Sequence, residues 1–254
     1  MFIPKPAVAS LFVCLGIITA CSCGTTYVRV PAVCPRDPLC LDDRTVGAGP
    51  DKAARERDFI ARHVASTVEV RGTRYLPNQG ARVTKGVGTF VGSKGYVLTA
   101  YHLVDGAESL TVMLRVPTPD GGIREVREVP AIPLVLSREA DLALLVLPYG
   151  ERVPPSLPVR NGPVIKGDPV WFLGRATALE RGGVAETGIV DGHNHDHADA
   201  SIMASREDAG APLMNVCGEV IGVSTGPYGK NGQLRFVPIE AALRALSMSI
   251  ADLR

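Results

Sequence analysis

The chain has 254 residues, 46% of them hydrophobic and 21% charged, with a formal net charge of +1 and a pI of about 7.6. That length can bury one large all-β core or two small ones. The near-neutral balance gives no reason to propose a nucleic-acid or anionic-membrane footprint, which needs clustered Lys and Arg, so no nucleic-acid partner is expected.

At the start, Lys5 supplies a positive n-region and Val8 to Ala20 an apolar run too short to span a bilayer as a mature helix. Residues 1–21 therefore read as an export signal. Ile18-Thr19-Ala20-Cys21 resembles a bacterial lipobox, whose Cys receives a diacylglyceryl group. Acyl chains contribute about 0.8 kcal/mol per buried methylene, so several of them anchor a protein firmly. The expected location is the bacterial cell envelope, lipid-anchored at Cys21, periplasmic or surface-exposed; a plain secretory signal is the alternative. Of the six cysteines, Cys14 leaves with the signal and Cys21 carries lipid. The remaining four suit an oxidising compartment. The short Cys34–Cys40 spacing suggests one disulfide and leaves Cys23–Cys217 as the other; a free, buried Cys217 is the alternative.

Residues 22–63 read as a tether and lead-in. Pro31, Pro35, Pro38 and Pro50 deny it regular structure, and the charge-dense Asp51 to His63 predicts only an exposed helix. Residues 64–254 read as one domain. Short strands are expected at Ala65–Val70, Gly88–Val91, Tyr96–Ala100, Leu110–Val116, Val126–Pro130 and Leu142–Leu147, a first barrel over about 64–150. Val153-Pro154-Pro155-Ser156-Leu157-Pro158 cannot supply a ladder and reads as a crossover. A second barrel, over about 163–238, is expected from strands at Pro169–Leu173, Ala185–Val190, Ser201–Ala204, Pro212–Met214, Val220–Ser224 and Leu234–Val237. Ile239, Leu243, Leu246 and Ile250 then form an amphipathic stripe, a C-terminal helix over about 239–252. No appended peptide-binding PDZ module is read after it.

Three segments carry chemistry. In Val87-Gly88-Thr89-Phe90-Val91 to Tyr96-Val97-Leu98-Thr99-Ala100-Tyr101-His102, a hairpin ends on a His at a barrel rim. In Ser137-Arg138-Glu139-Ala140-Asp141-Leu142-Ala143-Leu144-Leu145, a polar turn ends on Asp141 at the mouth of an apolar strand. The third runs Glu207-Asp208-Ala209-Gly210-Ala211-Pro212-Leu213 and returns through Gly218-Glu219-Val220-Ile221-Gly222. Together they resemble the His, Asp and nucleophile segments of trypsin-like, HtrA-type serine proteases. Val164 to Gly174 and Glu186-Thr187-Gly188-Ile189-Val190 resemble two further strands of that family. The resemblance implies two six-stranded antiparallel β-barrels, all-β and chymotrypsin-like, with no cofactor. It implies His102 as general base and Asp141 as the carboxylate that orients it. Ala209 falls at the nucleophile position, and the backbone N–H groups of Glu207 and Ala209 fall at the oxyanion hole. Met203, Ser224, Thr225 and Gly226 fall at the substrate pocket, with Met203 at or near its base.

Two departures from the pattern matter. Ala209 has neither lone pair nor transferable proton, so no acyl-enzyme can form. Glu207 stands where the family has a glycine; unless the loop turns differently, a side chain there is disfavoured and its carboxylate opposes an oxyanion. A laboratory Ser-to-Ala change leaves its neighbours alone, whereas a lineage that has lost catalysis accumulates others. Glu207 favours the second history. Ser205, four residues upstream of Ala209, is a weak substitute nucleophile. Outside the pattern lies His193-Asn194-His195-Asp196-His197. On a strand the three imidazoles share a face, but at about 6 to 7 Å spacing they do not converge on one ion without bending. The segment reads as a solvated polar turn, with His193, His195 and His197 as weak metal candidates.

Three functions fit. The first is an envelope pseudoprotease binding an extended polypeptide or partner protein in the cleft. The second is a serine endopeptidase with its nucleophile substituted. The third is a structural or regulatory lipoprotein whose cleft is unused.

Overall fold

The computed structural model describes residues 52–117, 123–174, 185–226 and 232–253, all of them within the unit Val33–Arg254. The export signal, the lipidation site Cys21, Cys23, and the Cys34–Cys40 pair lie outside the described residues. No described helix is long and apolar enough to cross a membrane.

Seven strands build the first half: β1 (Thr67–Leu76), β2 (Gly80–Val91), β3 (Tyr96–Ala100), β4 (Ser109–Pro117), β5 (Ile123–Pro130), β6 (Ile132–Ser137) and β7 (Leu142–Val146). They form one antiparallel sheet in the order β5-β4-β1-β2-β3-β7-β6. The edge strands β5 and β6 are separated in the chain by Ala131 alone, so the sheet must curl until its two edges approach each other. In effect β5 and β6 are one bent strand, paired first with β4 and then with β7. The expected six-strand count omits β6, which carries Pro133; an edge strand tolerates a proline, here with a register shift between Pro133 and Val135.

The second half is a closed six-stranded barrel of β8 (Pro169–Phe172), β9 (Glu186–His193), β10 (Ala198–Met203), β11 (Pro212–Met214), β12 (Val220–Gly226) and β13 (Gln233–Pro238). The proline-rich connector pairs with both halves. Leu157 N–H donates to Phe90 C=O at 2.8 Å, and Arg160 N–H to Val220 C=O at 3.0 Å.

Each half has its own core. One holds Val68, Phe90, Val97 and Leu145, the other Phe172, Leu213, Ile221 and Phe236. A third cluster joins them, bringing Leu98, Leu142 and Leu144 together with Trp171, Val220 and Val237. Both helices complete that seam. Helix α1 (Lys52–His63) is more than the expected exposed lead-in, since Phe59 is buried and stacks on Trp171 with ring centroids 4.5 Å apart. Helix α2 (Ile239–Ala245) is shorter than expected. Ser247, at φ 54, ends it, with Met248 N–H donating back to Leu243 C=O at 2.8 Å, a Schellman-type stop. The chain then returns to the first barrel, where Ser93 N–H donates to Leu253 C=O over Gly92, at which any β-carbon would collide with that carbonyl.

Because Trp171 is the sole tryptophan, its fluorescence reports on the seam directly. Phe59→Ala is expected to red-shift the native emission and to lower stability by about 3 kcal/mol in urea titrations.

Candidate active site

His102 sits in a short 3-10 turn, Tyr101–Leu103, directly after β3. Leu103 is buried in the first core and fixes the turn, so the imidazole stays at the rim with its side chain 40% exposed. Asp141 opens β7 with φ 52, a left-handed conformation that short polar residues tolerate best. Three bonds hold it there. Its Oδ1 accepts from His102 N–H at 2.9 Å, its Oδ2 pairs with His102 Nδ1 at 2.8 Å, and its C=O accepts from Tyr101 N–H at 3.0 Å. With Nδ1 donating to the carboxylate, Nε2 is left to accept a proton from a group in the cleft. Beside it, the Tyr101 hydroxyl donates to Asp105 at 2.7 Å; that bond, with burial and the carboxylate's charge, raises the phenol above its usual range.

The third segment is wedged between the barrels. Ala209 C=O accepts from Val87 N–H of β2 at 2.8 Å, and Gly210 N–H donates to Ser224 C=O of β12 at 2.7 Å. Gly210 has φ +85, and a β-carbon there would lie 1.9 Å from Val87 O, so only glycine fits. Ala209 itself is fully buried, packed in the same cluster as Ala100 and Leu103 on either side of His102.

Ahead of it, Arg206–Asp208 winds into a 3-10 turn whose capping box joins Ser205 and Asp208. Asp208 Oδ2 accepts from both the N–H and the hydroxyl of Ser205 at 2.7 Å, which commits the Ser205 Oγ to Asp208. The Ala209 N–H donates to Arg206 C=O at 3.4 Å, closing the turn. An oxyanion hole needs that N–H pointing at the substrate; here a carbonyl occupies its direction. Glu207 is absent from the described residues of positive φ, so the loop carries its side chain without left-handed strain.

The cleft beside His102 encloses about 340 Å³ and is lined by Thr84, Lys85, His102, Leu103, Arg206, Glu207, Thr225 and Gly226. Thr225 and Gly226 are in that lining. Ser224 is fully buried, its Oγ accepting from Gly226 N–H at 3.2 Å. Met203, at the end of β10, is 64% exposed and is not among the residues that line this cleft. Thr84 and Lys85 escaped sequence reasoning because the strand is expected to begin only at Gly88, whereas β2 begins at Gly80; Arg206 escaped it because its place in the cleft depends on the turn it occupies.

The histidine cluster is a turn. β9 ends at His193, and the Asn194 side chain accepts from Asp196 N–H at 3.0 Å and His197 N–H at 2.8 Å. This Asx turn removes the strand alternation that would align the three rings. His195 and Asp196 point into solvent, 84% and 76% exposed. Cys217 lies in the Asn215–Gly218 turn, its N–H donating to Asn215 Oδ1 at 2.9 Å; Cys23, with which it is expected to pair, lies outside the described residues.

Two curled antiparallel sheets with a His–Asp pair at their junction define the chymotrypsin-like double barrel. The family model described as a trypsin-like peptidase domain matches residues 86–223, and the chain belongs to that family. It is 30% identical over 195 residues to the periplasmic pH-dependent serine endoprotease DegQ of Escherichia coli (strain K12), covering 70% of this chain and 40% of that one. It is 29% identical over 220 residues to serine protease HTRA4 of Homo sapiens, covering 78% and 42%. These relatives mark its HtrA-type character. The chain spans less than half the length of the curated relatives it matches. A serine endoprotease structure from Yersinia pestis shares the fold, with a TM-score of 0.57 at 24% identity over 74% of this chain and 64% of that one.

Two outcomes follow for the turn. Asp208→Ala, which removes the cap, is expected to lower stability by about 1 kcal/mol in chemical denaturation. Glu186, at the exposed start of β9, ionises above the usual carboxylate range, first through partial desolvation of its carboxyl and then through the nearby Asp208. Its contribution to stability is therefore full below the ordinary carboxylate pKa and lost as pH rises through the raised value. Glu186→Gln should raise the melting temperature at neutral pH and leave it unchanged in acid, as read by calorimetry across pH.

Proposed function

We infer that this chain is an HtrA-type pseudoprotease. It is exported and lipid-anchored at Cys21 in the bacterial envelope, and it holds an extended polypeptide or partner protein beside His102 without cutting it. The observation that carries this reading is the elbow itself. It has the family's wedge between the barrels, but a methyl group at Ala209 and an Ala209 N–H that donates to Arg206 C=O leave His102 without a nucleophile to deprotonate and an oxyanion without that donor. The periplasmic description of DegQ supports the envelope location. A β-barrel rim can still bind a peptide main chain when the chemistry is gone.

The intact His102–Asp141 pair favours a second reading, an active endopeptidase in which Ala209 replaces a serine. Fluorophosphonate labelling and casein hydrolysis separate the two. Under the first reading Ala209→Ser alone stays unlabelled, because its hydroxyl starts in a buried position beside a collapsed hole, and Ala209→Ser with Glu207→Gly gains labelling. Labelling and hydrolysis by the single variant would establish the second reading instead.

A further inference from the structure

Residues 71–86 contain Arg71, Arg74, Arg82 and Lys85 and no acidic side chain. They form the outer part of the β1–β2 ribbon, and β2 is exposed from Gly80 through Lys85. The register sets like charges directly opposite one another, Arg71 against Lys85 and Arg74 against Arg82. Such pairs disfavour the free ribbon, and an anion lying against them relieves the repulsion. Arg71 is bonded to the buried Glu69. Arg74, Arg82, Lys85 and the exposed Arg206 have no ion pair among the described residues. Acids flank this surface: Asp105, beside the Gly106 on which the Arg74 guanidinium lies, Glu108, whose Oε1 accepts from Tyr75 N–H at 3.0 Å, and Glu207 and Asp208 in the turn with Arg206. Arg82 and Lys85, on the exposed part of β2, have no acid on the ribbon itself.

The ribbon also has an open edge. Val87 turns both backbone groups away from β1, its N–H donating to Ala209 C=O at 2.8 Å and its C=O accepting from the Thr99 hydroxyl at 2.6 Å. Alternate residues of a strand point their hydrogen-bonding groups the same way, so those of Lys85, Val83 and Ala81 also face away from β1. β3 pairs with β2 only over Gly88–Val91, and among the described residues nothing bonds the backbone of Lys85, Val83 or Ala81. The edge meets the cleft, because Thr84 and Lys85 line it together with His102 and Arg206.

We propose that Ala81–Lys85 of β2 is a docking strand for an acidic, extended segment of a partner polypeptide, which adds to the open edge and leads into the cleft beside His102. Main-chain bonds to Ala81, Val83 and Lys85 supply affinity, and Arg82, Lys85 and Arg206 select for carboxylates. The proposal rests on the reading that the cleft holds polypeptide.

Fluorescence anisotropy on the whole mature protein tests it, using three labelled peptides of equal length with Glu, Gln or Lys at alternate positions, and an oligothymidylate as a non-peptide polyanion. The Glu peptide is expected to bind about tenfold tighter than the Gln peptide at low salt, an advantage that fades at high salt. Arg82→Glu with Lys85→Glu, on the exposed ribbon and checked by an unchanged melting curve, should transfer the preference to the Lys peptide. Equal binding of the Glu and Gln peptides overturns the charge selection while leaving the cleft reading intact. Failure of every peptide to bind takes the cleft reading down as well. Oligothymidylate binding as tight as the Glu peptide, and lost in the same variant, overturns the proposal in favour of a general polyanion surface.

Discussion

The N–H of Val87 donates to the carbonyl of Ala209, and the N–H of Gly210 to the carbonyl of Ser224. These two bonds hang the elbow between a strand of each barrel. Everything at the site depends on that suspension. It seats Ala209 in the core that also fixes Ala100 and Leu103, and thereby brings the elbow beside His102. It leaves Gly210 no room for a β-carbon. The seam behind it, with Leu142 and Leu144 against Trp171 and Val220, keeps the two barrels from separating and the suspension from slackening.

Two parts of the catalytic apparatus have fared differently. The His102–Asp141 pair lies wholly on the first barrel, held by three bonds that do not involve the elbow. It keeps its geometry whatever occupies position 209. The segment ahead of the elbow is a different case: its peptide groups are set by a 3-10 turn that Ser205 and Asp208 close with a capping box. The two parts are therefore held by separate sets of bonds, one on the first barrel and one within the loop.

The candidate site was readable to unequal depth. His102 and Asp141 were legible because each sits at the end of a short apolar strand bounded by turn residues, a local pattern with a local cause. Thr225 and Gly226 were legible by position. Met203 and Ser224 were not, because whether a residue lines a pocket depends on how β10 and β12 rotate within the barrel. Phe59 was hidden in a charge-dense stretch and owes its burial to Trp171, far away in the chain. β6 was hidden by Pro133, whose tolerance depends on the strand lying at an edge.

By itself, then, the sequence determined the all-β double-barrel class, the order of its chemical segments and the missing hydroxyl at Ala209. Those are set by residue identity, by period-two patterning and by turn residues acting over a few positions. Only the tertiary structure decided that the loop before Ala209 winds into a 3-10 turn, that the helix after Pro238 stops at Ala245 and sends its tail back to Gly92, and that the cations of β1 and β2 stand opposite one another beside the cleft. The physical reason is that backbone direction in a loop, and side-chain proximity across strands, are fixed by hydrogen-bond register between segments far apart in the chain, which no local pattern encodes.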